Sequence, residues 1–170
     1  MTKFTCSVLG VLILVSCNLG FAGVGCKPCP TELSDVEKDI ILRCLVGHMR
    51  MYPEDLEGAK QAVNCAIEEW NRKDGTIGSM ISNAFIAMME TNPVVFFDVM
   101  ANNEAIFSEW VDQLRGLSFT WHKEPPSPLE ARRKNLVEFL SKVGPLKSQG
   151  DTLRQRLLSV MRLIRVRQVE

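Results

Sequence analysis

From Ser34 onward the apolar residues of this chain return every three to four positions, the period of helices with one buried face. Ser34-Asp35-Val36-Glu37 has the form of a capping box, with acidic residues where the helix dipole favours them. It opens a helix carrying Val36, Ile40, Ile41, Cys44 and Met51 and ending at Tyr52-Pro53. A second helix runs from about Glu54 to Trp70, with Leu56, Ala59, Val63, Ala66, Ile67 and Trp70 on one stripe. A third, from about Thr76 to Glu90, is apolar nearly all round. Ile77, Met80, Ile81, Ala84, Phe85 and Met88 make one face, and Ile86, Ala87 and Met89 much of the other. Such a helix belongs at the centre of a domain.

Asn92-Pro93 supplies a cap and a first-turn proline, so Val94 to Met100 reads as a helix despite its β-branched and aromatic content. Asn103-Glu104 begins the next, with Ala105, Ile106, Phe107, Trp110, Val111 and Leu114. The two segments echo each other: Asn92 with Asn103, Val95 with Ile106, Phe96 with Phe107, Asp98 with Glu109. A single echo is not a repeat array. Gly116 to Ser127 reads as a loop whose Phe119 and Trp121 fold back onto the core. Ser127-Pro128-Leu129-Glu130 starts a helix with Leu136, Val137, Phe139, Leu140 and Val143, stopped by Gly144-Pro145. The last helix spans about Asp151 to Val169 on a stripe of Leu153, Leu157, Val160, Met161 and Ile164. The expectation is an all-α fold over residues 34–170, with six or seven helices in an irregular bundle or short α-α stack and no convincing strand.

The pattern before Ser34 differs in kind. Lys3 precedes an almost wholly apolar run from Thr5 to Val15, and small residues follow at Gly20-Phe21-Ala22. That run is too short for a permanent span and right for the core of a secretory signal over residues 1–22. Leu14-Val15-Ser16-Cys17 also resembles the bacterial lipobox, which makes Cys17 a lipidation candidate and would tether the protein by acyl chains. Gly23 to Thr31 and on to residue 33 is a Cys/Pro/Gly linker. The expected location is therefore outside the cytoplasm: secreted, periplasmic or envelope-associated.

Hydrophobic residues make up 46% and charged residues 24% of the 170, values that fit an ordinary globular domain. The formal net charge is zero, yet unevenly spread. Thr31 to Asp112 holds fifteen acidic and six basic side chains, Leu129 to Glu170 four and ten. The simplest reading is two halves that fold against each other and partly neutralise. The sharper one is a basic end that meets an anionic membrane or an acidic partner.

Export changes the reading of the cysteines. Cys26, Cys29, Cys44 and Cys65 are an even set and read first as disulfide candidates. In an antiparallel hairpin Cys44 lies within about a turn of Cys65, so those two could bridge. Alternatively, the Cys26-Lys27-Pro28-Cys29 segment could be stapled to both helices. That segment also has the C-x-x-C form of thiol–disulfide exchange, without a βαβ pattern around it. Cys26, Cys29, Cys44 and His48 together approach a zinc-ligand spacing, an arrangement that an oxidising compartment disfavours.

Catalytic patterns are sparse. The two histidines are His48 and His122; no G-x-S-x-G, phosphate loop or H-E-x-x-H occurs. Glu68-Glu69 and Asp35/Asp39 read as helix-surface acids. Phe85, Phe96, Phe97 and Trp110 could line an apolar pocket but more often build core. The C-terminal arginines lack aromatic interleaving, so no nucleic acid is expected. The expectation is a non-enzymatic binding module without cofactor, whose partner is another protein and whose only membrane link is the lipid anchor. The competing expectation is a thiol-redox or metal-handling protein using Cys26 and Cys29.

Overall fold

A computed structural model describes residues 34–73, 77–121 and 127–168. Among them are seven helices: α1 (Asp35–Met51), α2 (Leu56–Asn71), α3 (Gly78–Thr91), α4 (Pro93–Ala101), α5 (Glu104–Ser118), α6 (Ser127–Lys142) and α7 (Ser148–Leu163). The fold is all-α. Expected Cys6, Cys17, Cys26 and Cys29, the leader and the linker lie outside the described residues, as does His122.

The caps form as their residues require. Ser34 Oγ accepts from the Glu37 amide at 3.4 Å, and Glu37 Oε2 accepts from the Ser34 amide at 2.9 Å. That closes the capping box of α1, and the Ser34 bonds hold the Glu37 carboxyl below its ordinary range. Asn92 Oδ1 accepts from the Val95 amide at 3.1 Å and starts α4. The echo between α4 and α5 holds for the core and fails at the cap. Phe96 and Phe107 are both buried, but Asn103 Nδ2 donates back to the Val99 carbonyl at 2.9 Å instead of capping α5.

Helix α3 is the centre. It packs against α1, α2, α4 and α5, which is why it is buried on nearly every side. Six aromatic rings gather there: Trp70, Phe85, Phe96, Phe97, Phe107 and Trp110. Phe85 meets Phe96 and Trp110 edge-on, at centroid distances of 6.2 and 5.5 Å, the geometry that ring quadrupoles favour. Helix α7 lies on α4 and α6. Gly150 permits that approach, since a Cβ there would stand 3.3 Å from the Phe97 Cβ.

Three boundaries depart from expectation. Helix α5 runs through Gly116 to Ser118, because Leu117 and Ser118 are held against the core rather than released as loop. Helix α7 stops at Leu163, six residues short of Val169, where Ile164 turns extended. And a two-residue strand pair exists: β1 (Thr120–Trp121) and β2 (Arg167–Gln168) run parallel, Thr120 opposite Arg167. Ile164, Arg165 and Val166 connect α7 to β2, and β2 itself is Arg167–Gln168, two polar residues with no strand pattern. Phe119 is fully buried, as expected of that segment.

Ion pairs join the two halves of opposite charge. Lys147 meets Asp98, and Arg156 meets Asp112 at 3.6 Å while donating to Ser108 Oγ. Arg132 reaches from α6 to Asn83 on α3 at 2.9 Å.

Candidate interaction surface

The turn between α1 and α2 is built by two side chains. Asp55 caps α2, its Oδ1 accepting from the Gly58 amide at 2.9 Å. Its Oδ2 shares a 3.0 Å hydrogen bond with His48 Nε2 from the last turn of α1. The His48 ring lies 5.0 Å from that of Tyr52, the C-cap of α1. The Gly58 amide first, then His48, hold the Asp55 carboxyl below the usual carboxylate range. Gly58 is needed here, because a Cβ would collide with Asp55 Oδ2 and crowd His48 Nε2.

The α3–α4 turn belongs to the same end of the molecule. Helices α1 and α3 pack together, and Arg50, at the end of α1, acts electrostatically on Glu90, at the end of α3. The Glu90 carboxyl is nonetheless held above its ordinary range, because lost hydration outweighs Arg132 and Arg50. Near these ends stand three large apolar side chains in contact with water: Met51 (51% exposed), Leu56 (53%) and Val94 (56%). They flank the two turns, and charged Arg50, Glu54 and Glu90 are exposed beside them in sequence. Exposed apolar side chains with charged neighbours are the ingredients of a protein-binding surface. Neither turn singles itself out in the sequence, because only the α1–α3 packing brings them together.

The other candidates fall as follows. Cys44 and Cys65 are half-buried on α1 and α2. No Cys44–Cys65 bridge forms among the described residues. Cys44 and His48 share one face of α1, one turn apart, and the His48 Nε2 is held by Asp55. Among the described residues, no cluster of three His, Cys, Asp or Glu could hold a metal ion.

Glu69 is a correction. Expected on the surface, it is only 5% exposed. Its Oε1 accepts from Arg72 at 2.9 Å and its Oε2 faces Lys38 Nζ across 3.8 Å, because α1 closes over this part of α2. Asp35, Asp39 and Glu68 are ordinary surface acids paired with Lys38, Arg43 and Arg72.

Phe85, Phe96, Phe97 and Trp110 are fully buried and packed against one another. Between α3, α5, α6 and α7, the space lined by Ile86, Met89, Leu136, Leu157 and Met161 has no room for a water molecule. Two polar arrangements escaped the sequence reading. Trp110 Nε1 donates to Ser82 Oγ, which shares a buried 2.7 Å hydrogen bond with Ser118. Trp70 Nε1 donates to Glu109, which also accepts from Lys73 at 2.7 Å, and the Lys73 ammonium sits 4.1 Å above the Trp70 ring.

No family model matches the chain, and no curated protein or solved structure matches it.

Proposed function

We propose that this protein is an exported, non-enzymatic binding module. It is an irregular helical bundle that follows a cleaved leader over residues 1–22 and docks another protein through the surface of Met51, Leu56 and Val94. The observation that carries the reading is the exposure of these three side chains at two turns that α1 and α3 bring to one end. Isolated exposed apolar residues are commonplace, whereas a group of them around adjoining turns marks a contact surface. The His48–Asp55 bond and the Gly58 cap hold one of those turns rigid, which lowers the ordering cost of binding. The competing reading is thiol-redox or metal chemistry at Cys26-Lys27-Pro28-Cys29, which lies outside the described residues.

Site-specific photocrosslinking tests the proposal. A photoreactive side chain at Leu56 or Val94 in the full chain should give one adduct of defined mass in the native envelope or medium. The same probe at exposed Glu104, which belongs to neither turn, should not. Equal adducts from all three positions, or none from any, would contradict the reading.

A further inference from the structure

A second surface, independent of the first, lies where α5 and α7 end and the first half of α6 passes, near the β1–β2 pair. Leu163 projects from the last turn of α7 at 81% exposure, the highest of any exposed large apolar side chain among the described residues. Exposed Arg162 and Arg165 flank it. Two contacts bring further cations to this end. Arg133 donates from α6 to the Met161 carbonyl at 3.1 Å, which sets exposed Lys134 beside the end of α7. The β1–β2 pairing places Thr120 against Arg167, and Thr120 Oγ1 donates to the Arg115 carbonyl at 3.0 Å, which brings in exposed Arg115.

None of Arg115, Lys134, Arg162 and Arg165 makes an ion pair among the described residues. The carboxylate of this neighbourhood, Glu130, is taken by a two-pronged bond to Arg133 at 3.0 and 3.1 Å. The result is a protruding leucine flanked by Arg162 and Arg165, with Lys134 and Arg115 on neighbouring α6 and α5, none of the four ion-paired among the described residues. The cations call for an anionic occupant. The leucine selects among anionic occupants: a soluble anion offers it nothing, whereas a lipid interface takes the side chain below its headgroups while the arginines remain at the phosphates.

We infer that this end of the molecule docks peripherally on an anionic phospholipid surface, with Leu163 inserted and Arg115, Lys134, Arg162 and Arg165 on the headgroups. The attraction is additive in charge and screened by salt. No membrane-spanning element is involved, and among the described residues no helix is long and apolar enough to cross a membrane.

The test is co-sedimentation of the full chain with vesicles of phosphatidylglycerol and phosphatidylcholine mixed, against pure phosphatidylcholine. The apolar run over residues 5–15 contributes alike to every variant, so the readout is the ratio between the two vesicle types. Binding to the anionic vesicles should be at least about tenfold stronger and fall steeply with salt. Arg162→Glu with Arg165→Glu should abolish the preference, and Leu163→Ala should weaken anionic binding several-fold. All three residues are exposed, so circular dichroism should be unchanged. Equal binding to both vesicle types, or a preference that survives the double charge reversal, overturns the inference. Binding to single-stranded DNA that depends on these arginines, without a vesicle preference, overturns it in favour of a nucleic acid.

Discussion

The indole N–H of Trp110 donates at 2.9 Å to the hydroxyl of Ser82, inside the core and 28 positions apart in the chain. Ser118 completes the set at 2.7 Å, so three buried polar groups from α3 and α5 satisfy one another. Ser82→Ala should leave the Trp110 N–H and the Ser118 hydroxyl without their shared partner. We expect a loss of roughly 1–3 kcal/mol, the cost of stranding buried polar groups. Urea denaturation measures it. A loss below about 0.5 kcal/mol would mean that water replaces the serine.

Gly58 reverses the usual rule for glycine within a helix. Alanine there would ordinarily stabilise α2 by about 1 kcal/mol. Here its methyl would displace the Asp55 carboxylate from its capping position and from His48. Gly58→Ala should therefore lower Tm, and a raised Tm would show that the turn adapts freely.

The acid limb of stability follows from carboxyls held below their ordinary range. Asp55 is depressed by the Gly58 amide and His48, and Glu109 by Lys73 and Trp70. A depressed folded value means that the contribution is complete above the ordinary range, 3.8 for Asp and 4.5 for Glu, and is lost as pH falls through the lower folded values. Stability should therefore decline below about pH 4, and Asp55→Asn should flatten part of that decline while leaving α2 capped, since asparagine caps a helix about as well as aspartate. Midpoints measured from pH 2 to 7 decide the point.

Glu90 works in the opposite sense. Its folded value is raised, so its ionised form disfavours the fold at neutral pH. Glu90→Gln should raise stability at pH 7 only slightly, since its exposed carboxyl is still screened by water. The gain should shrink near pH 4, where the wild-type carboxyl is already protonated. A gain that is the same at both pH values would place its cause elsewhere.

The helices were legible because their apolar stripes and caps are local. Ser34 with Glu37, and Asn92 with Pro93, announce their own starts. The core rings were legible for the same reason, each occupying a helical stripe. What escaped depends on residues far apart in sequence. Glu69 is buried because Lys38 and Arg72 meet it, and no pattern within α2 says so. Ser82 looks like an interruption in an apolar helix until Trp110 arrives. The β1–β2 pair sets Thr120 opposite Arg167 from far along the chain, and the helical stripe that reaches Ile164 gave no sign of it. The Met51, Leu56 and Val94 surface consists of residues unremarkable singly, which packing assembles.

That surface is the centre of the account, and one measurement bears on it most directly. It is the affinity of the crosslinked partner, once purified, for the wild-type chain and for Met51→Glu with Leu56→Glu, by titration calorimetry. The variant should bind at least about tenfold more weakly, with Tm unchanged because both side chains are already exposed. An unaltered affinity would contradict it and move the contact elsewhere on the molecule.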